Sequence, residues 1–122
     1  MRYNRNEAFR FAFKEPLHAR FSIYEVNGKE VETTEGEIQL MDLSPSGAKT
    51  YTELNIPYTA NNSVKITIHF QLNESTYNFK GKIVWKKVWS DGFMYGVSFL
   101  VNEDMQQEIV KQLKIHVKSL KN

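Results

Sequence analysis

Alternation of apolar and polar residues is the dominant pattern along this chain. It is clearest at positions 64–72, where the apolar members are Val64, Ile66, Ile68, Phe70 and Leu72. A period of two places such side chains on one face of a strand. Further strands are predicted at 17–24, 31–41, 48–54, 76–89 and 94–101. Several short strands at this spacing indicate an antiparallel barrel or sandwich.

Turn-forming residues separate the predicted strands. Asn27-Gly28 is typical of a two-residue hairpin, and Gly36 indicates a bulge. The other turns are predicted at 44–47, 73–75 and 90–92. Between the last two turns, one strand is expected to place four residues on the core face: Phe79, Gly81, Ile83 and Trp85.

The end of the chain changes to helical periodicity. Asn102 is a good N-cap, and acidic residues follow it while lysines collect toward the other end. An apolar stripe at helical spacing predicts a lid on the barrel or a partner-binding face; it comprises Met105, Ile109, Leu113, His116 or Val117, and Leu120. We therefore expect one domain with an arm at 1–12, a barrel at 13–101 and a helix at 102–120.

Composition removes several classes of function. The chain of 122 residues has no cysteine, and its three histidines fall on separate predicted elements, so we expect no metal site. Ser44 lacks the Gly-x-Ser-x-Gly frame of a nucleophile elbow, and we expect no enzymatic activity and no cofactor. Neither a signal peptide nor a long apolar run occurs, so a soluble, cytoplasmic protein without membrane insertion is expected.

Charge is distributed unevenly although the net charge is only +2. Arginines and a lysine dominate the first 20 residues, acidic residues dominate 25–42, and a block of lysines follows at 80–87. Charged strand faces of this kind are usually solvent-exposed surface. Only the first block lies next to a sequence with recognisable binding chemistry.

The turn Asp42-Leu43-Ser44-Pro45-Ser46-Gly47 has the chemistry of an anion-binding site. Asp and Ser side chains bond to backbone groups two residues on, proline fixes its own φ, and glycine permits close approach. A hairpin turn that binds no ligand is an equally good explanation of these residues alone.

The order of the motifs resembles that of the PilZ domain family over nearly the whole chain. An arginine-bearing segment precedes the first strand, Asp42-x-Ser44-x-x-Gly47 follows the second, and Gly96-Val97-Ser98-Phe99 lies on a late strand. The resemblance implies a mostly β protein, a six-stranded antiparallel barrel with a C-terminal α-helix. It also implies binding of the bacterial second messenger cyclic di-GMP.

The same resemblance implies the ligand-binding residues Arg5, Arg10, Asp42, Ser44 and Gly47, with Asn6 and Ser46 as additional contacts. Arginine side chains suit phosphate and the guanine edge. The family's first motif is Arg-x-x-x-Arg, and Asn6 stands where its first arginine belongs. Arg5 is the available replacement, but in an extended strand its odd spacing from Arg10 places it on the opposite face.

The resemblance favours a receptor that passes its signal to an unidentified downstream protein in motility, exopolysaccharide or biofilm control. Asn6 motivates an alternative, a degenerate PilZ adaptor that binds a protein without nucleotide. A third alternative is a barrel that binds single-stranded nucleic acid through the lysines of 80–87 and the interleaved Phe79, Trp85 and Trp89. Their core-like alternation disfavours it, and we expect no nucleic-acid polymer as a partner.

Overall fold

The structure is a computed structural model that describes residues 10–120. Its elements in chain order are β1 (Phe11–Val26), β2 (Lys29–Glu30), β3 (Gly36–Ser44), β4 (Gly47–Thr52), β5 (Val64–Leu72), β6 (Ser75–Trp89), β7 (Gly92–Phe99) and α1 (Glu103–Ser119). Antiparallel pairing in the order β1-β3-β4-β7-β6-β5, closed by β5 on β1, forms a six-stranded barrel. The short β2 adds to the end of β1. The expected fold class is confirmed, with this one extra strand.

The barrel interior is built from the alternating apolar residues. On β5 they are Val64, Ile66, Ile68, Phe70 and Leu72, and none is more than 4% exposed. Each such side chain contributes about 1.5–3 kcal/mol on leaving water, which makes this strand a main source of stability. The prediction for 64–72 is confirmed.

The tight turns also fall where the turn residues predict them. Asn27 and Gly28 have φ values of 53° and 82°, the left-handed conformation that a two-residue hairpin turn requires. Asn73 and Ser90 adopt φ values of 59° and 56° in the β5–β6 and β6–β7 turns. Two residues, Pro45 and Ser46, separate β3 from β4.

The strand predicted at 31–41 is wrong in its first half. Residues 31–35 form no strand, and β3 begins at Gly36. Here a side chain takes the place of a strand–strand backbone hydrogen bond: Thr33 Oγ1 accepts a hydrogen bond from the Ile23 backbone N–H at 2.9 Å.

The bulge predicted at Gly36 is also wrong, because the shift in the β3–β4 pairing lies between Leu40 and Asp42. β1, in turn, already includes Phe11, ahead of the expected start at 13.

A second bulge changes the outer face of β6. Ile83 pairs with Val97 and Trp85 pairs with Gly96, so Val84 is the inserted residue. Inserting one residue reverses the side on which the following side chains lie. Trp85 was predicted to share the core face with Ile83, and this is wrong: Trp85 is 40% exposed, whereas Ile83 is 1% exposed.

Helix α1 packs on the barrel through its apolar stripe. The Asn102 side chain accepts a hydrogen bond from Met105 N at 2.9 Å, which confirms the N-cap. Ile109 and Leu113 are fully buried in the barrel's hydrophobic cluster, whereas Leu120 is 63% exposed beyond the helix end. The helix is therefore a lid held mainly by its central turns.

Candidate functional site

The turn between β3 and β4 is closed by the hydroxyl of Ser44. Ser44 Oγ accepts hydrogen bonds from the backbone N–H of Gly47 at 3.2 Å and of Ser46 at 3.3 Å. The same oxygen lies 3.2 Å from the Gly47 carbonyl, to which it donates. Ser44 is fully buried, so its hydroxyl holds the turn and does not reach the surface.

Gly47 is required by the strand that lies beside the turn. A Cβ added to Gly47 would overlap the carbonyl oxygen of Val97 on β7. The neighbouring Ser46 carbonyl accepts a hydrogen bond from Phe99 N at 2.9 Å. The turn is therefore fixed against β7 as well as within itself.

The bulge in β3 brings Asp42 to the outer surface. Asp42 pairs with Lys49 after the register shift, and its Oδ1 accepts a hydrogen bond from the Lys49 backbone at 2.8 Å. Arg10, just before β1, places Nη1 2.6 Å from the same oxygen. The Asp42 side chain is 11% exposed and that of Arg10 is 45% exposed, so the carboxylate anchors a guanidinium that remains open to solvent.

A cleft of about 380 Å³ opens beside this ion pair. It is lined by Ser46, Gly47 and Lys49 from the β3–β4 hairpin and, on the neighbouring strands, by Trp85, Gly96 and Ser98. A Cβ on Gly96 would overlap the indole ring of Trp85, so the glycine allows the ring to lie against the strand. The volume falls in the range of small-molecule sites.

The charge of the cleft is positive. Arg10 and Lys49 contribute two cations, and Asp42 is the acidic residue in the lining. Asp42 Oδ1 accepts the hydrogen bonds from Arg10 and from the Lys49 backbone, and within residues 10–120 no partner is bonded to Oδ2. The cleft thus offers a guanidinium, a free carboxylate oxygen, hydroxyls and an aromatic ring, a combination suited to an anion that carries a base.

The residues predicted from the sequence are only partly brought together. Arg10, Asp42, Ser46 and Gly47 line one cleft, and Ser44 lies beneath it. Arg5 and Asn6 lie outside the described residues.

The sequence prediction missed Lys49, Trp85 and Ser98, which belong to other strands. The bulge in β3 does leave a signal in the sequence. Leu40 and Leu43 are both buried although they are three residues apart, and in a strand with a period of two this spacing indicates an inserted residue, which turns Asp42 outward.

Comparison with known families identifies the barrel. The PilZ domain matches residues 4–115, nearly the whole chain. The chain belongs to the PilZ domain family. PilZ domains bind cyclic di-GMP and generally act as receptors without catalysis. No curated protein matches the chain.

Within residues 10–120, no three His, Asp or Glu side chains are placed to hold a metal ion. Over the same residues, the PilZ structure has no helix of the length and apolar character needed to cross a membrane.

Proposed function

We propose that this PilZ domain is a non-enzymatic receptor that binds cyclic di-GMP in the cleft beside Arg10 and relays its level to a partner protein. The observation that carries the proposal is the guanidinium of Arg10, held at 2.6 Å by Asp42 at the mouth of a positively charged cleft. We place this receptor in the bacterial cytoplasm, in control of motility, exopolysaccharide or biofilm formation.

Arg10 is the primary ligand contact in this proposal. A guanidinium donates two parallel hydrogen bonds to a phosphate or to the O6/N7 edge of guanine. Asp42 engages one nitrogen of Arg10, so the side chain is orientated before ligand arrives. Pre-orientation reduces the conformational entropy lost on binding.

Asp42 and its neighbours provide the remaining contacts. Asp42 Oδ2 accepts from a guanine N–H, Lys49 contributes positive charge toward phosphate, and the Trp85 ring stacks on a base. The cleft-lining hydroxyl is that of Ser46, so we assign the direct contact to Ser46 and a turn-holding role to Ser44. Gly47 keeps the turn against β7.

The arm supplies the second arginine of the site. We assign that role to Arg5, since Asn6 occupies the position of the family's first arginine. Loss of one bidentate arginine contact weakens binding by about 1–3 kcal/mol, or roughly 5- to 150-fold. If Arg5 does not compensate for Asn6, the domain acts as an adaptor that binds its protein partner without nucleotide.

A path from the arm to a partner runs through α1. Phe11 follows Arg10, and its ring packs edge-on against His116 with 5.2 Å between the ring centroids. Phe13 packs on the same imidazole at 5.5 Å. Movement of Arg10 onto a ligand therefore changes the packing beside α1, whose outer face includes the 43% exposed Ile115.

Titration calorimetry with cyclic di-GMP, and with GMP as the comparison ligand, tests the receptor. Arg10→Ala is expected to weaken binding of cyclic di-GMP by at least about fivefold, because it removes a charge-assisted contact. The matched control is Arg20→Ala: Arg20 lies on β1, is 61% exposed and pairs with Glu35 away from the cleft. The affinity of Arg20→Ala for cyclic di-GMP should equal that of the wild type.

The outcomes separate the two candidates. Heat with cyclic di-GMP that is lost in Arg10→Ala supports the receptor, and Asn6→Arg should then bind more tightly. No heat from the wild type at high micromolar ligand contradicts the receptor and favours the adaptor. Recovery of binding in Asn6→Arg alone would identify Asn6 as the residue that abolished it.

A further inference from the structure

The outer face of β6 carries a row of cations and aromatic rings. Lys80 and Lys82 precede the bulge at Val84, and Trp85, Lys87 and Trp89 follow it. The lysines are exposed, and the tryptophans are 40% and 48% exposed. Side chains two residues apart lie on one face of a strand, and the inserted Val84 brings Trp85 onto the face of Lys82; these five therefore form a single row, here called the β6 row.

The exposure of both tryptophans is a product of the bulge. Without the bulge, the regular alternation through Phe79 and Ile83 would continue with Val84 outside and Trp85 buried. The rings lie outside the barrel: Trp85 covers Gly96, and Lys87 Nζ lies 5.9 Å from the centre of the Trp89 ring. The sequence pattern disfavoured nucleic acid because it placed these rings on the core face, and the bulge removes that objection.

The lysines of the β6 row are not neutralised by their surroundings. Lys80 Nζ lies 5.0 Å from the centre of the Tyr24 ring, and no ion pair among residues 10–120 includes Lys80, Lys82 or Lys87. Strands β5 and β7, which flank β6, carry no aspartate or glutamate within their bounds. Asp91, in the β6–β7 turn, is bonded to Tyr51.

We infer that the β6 row binds single-stranded nucleic acid. Exposed aromatic rings stack on unpaired bases, and lysines bind the phosphates between them. An acidic protein surface would complement only the lysines of the row, whereas an unpaired strand offers phosphates for the lysines and bases for the two rings. From Lys80 to Trp89 the strand rises about 30 Å, a length suited to a few nucleotides.

The β6 row and the cleft share one residue. Trp85 belongs to the row and also lines the cleft beside Asp42. A base stacked on Trp85 from the cleft excludes one that stacks on it from the row. This step rests on the proposed function: cyclic di-GMP in the cleft would compete with nucleic acid for Trp85 and so regulate its binding.

The test uses the full chain and a fluorescein-labelled oligothymidine of about 12 nucleotides, followed by anisotropy. Binding is expected at about 50 mM salt. Raising the salt concentration to about 200 mM should then weaken binding about 20-fold. This figure assumes that three lysines contact phosphates, because log affinity falls with log salt concentration by about 0.7 for each phosphate contacted on a single strand. A duplex of the same length should bind more weakly, because its bases are not free to stack.

Substitutions separate stacking from charge. Trp89→Ala should weaken oligothymidine binding by at least about fivefold, and Lys82→Ala should reduce the salt slope by about 0.7. The matched controls are Ile115→Ala, which removes an exposed apolar side chain on α1, and Lys114→Ala, which removes an exposed lysine there; both should bind as the wild type does.

Fluorescence gives a second measurement, because Trp85 and Trp89 are the two tryptophans of the chain. In Trp85→Phe the remaining Trp89 should be quenched by oligothymidine and not by cyclic di-GMP. Absence of oligothymidine binding at low salt would overturn the inference. Unchanged affinity in Trp89→Ala, or equal affinity for the duplex, would also overturn it.

Competition keeps this inference distinct from the proposed receptor. Cyclic di-GMP should displace oligothymidine from the wild type but not from Arg10→Ala. Calorimetric binding of cyclic di-GMP should survive in Trp89→Ala, which lies outside the cleft. A wild-type protein that binds cyclic di-GMP but not oligothymidine would reject the β6 row alone, and one that binds oligothymidine but not cyclic di-GMP would reject the receptor alone.

Discussion

Single residues in the β3–β4 turn act mainly by shaping the protein. Ser44 satisfies two backbone N–H groups of its own turn, and Gly47 leaves room for the Val97 carbonyl of β7. Neither side chain needs a ligand to explain its presence. Arg10 and Asp42 differ, because they form an ion pair at the mouth of a cleft in which the Arg10 guanidinium remains open to solvent while the Asp42 side chain is only 11% exposed.

Gly47→Ala tests the close approach to β7. The added methyl group would overlap the Val97 carbonyl oxygen, and relief requires the two strands to move apart. The free energy of unfolding should fall by about 1–3 kcal/mol, measured by urea denaturation. Ser46→Ala, in the same turn but partly exposed, should change it by less than about 0.5 kcal/mol. An unchanged stability in Gly47→Ala would mean that the glycine serves ligand access instead.

At the scale of elements, the bulges in β3 and β6 build the candidate site. Each inserts one residue on the strand, and each turns an otherwise core-facing residue to the surface: Asp42 in β3 and Trp85 in β6. Both side chains then line the same cleft from opposite sides of β4 and β7. Helix α1 stays outside the cleft and closes the hydrophobic core of the barrel through Ile109 and Leu113.

The attachment of α1 depends on those buried contacts. Leu113→Ala should lower the free energy of unfolding by about 2–5 kcal/mol, because Leu113 is fully buried in the barrel cluster and its truncation leaves a cavity. Ile115→Ala, two residues on and 43% exposed, should lower it by less than about 1 kcal/mol. Thermal and urea unfolding followed by circular dichroism measure both. Equal effects would show that α1 does not pack as described.

On the scale of the whole molecule, one titratable polar contact joins residues that are distant in the sequence and adjacent in the barrel. Tyr51 on β4 donates to Asp91 in the β6–β7 turn at 2.5 Å, and the two are 40 residues apart in sequence. This hydrogen bond to Asp91 raises the pKa of Tyr51 to about 12. The same bond lowers the pKa of Asp91 below its ordinary value of 3.8.

The two shifts predict how stability depends on pH. The lowered pKa of Asp91 stabilises the fold above pH 3.8, and this contribution is lost as pH falls through the folded value. The raised pKa of Tyr51 stabilises it below pH 10.0, and this contribution is lost as pH rises toward about 12. Tyr51→Phe should therefore differ most from the wild type between about pH 5 and pH 9, and less at both extremes.

Thermal unfolding across this pH range measures the difference. The control is Tyr58→Phe, which removes a hydroxyl that donates to the Val84 carbonyl and so leaves the Tyr51–Asp91 pair in place. The difference in stability between Tyr58→Phe and the wild type should not shrink at acid and alkaline pH as that of Tyr51→Phe does. A difference between Tyr51→Phe and the wild type that is constant from acid to alkaline pH would contradict the proposed linkage.

The local features of the protein were readable from its sequence. Alternation on β5 identified its buried face, Asn27-Gly28 identified a turn, and Asn102 identified the start of α1. Each of these depends on residues close in the chain: side-chain periodicity, backbone conformational preference and hydrogen bonding within one helical turn. The motif order also led to the PilZ domain family, and the match to residues 4–115 confirms it.

The arrangement of the candidate site was decided by the tertiary structure. Arg10 meets Asp42 across 32 positions, and Trp85 joins them because a bulge in a different strand turns it outward. A bulge depends on which cross-strand pairs form, so a single strand's period does not reveal it reliably. The sequence therefore determined which residues form the barrel and its turns, whereas strand pairing decided which of them share the cleft.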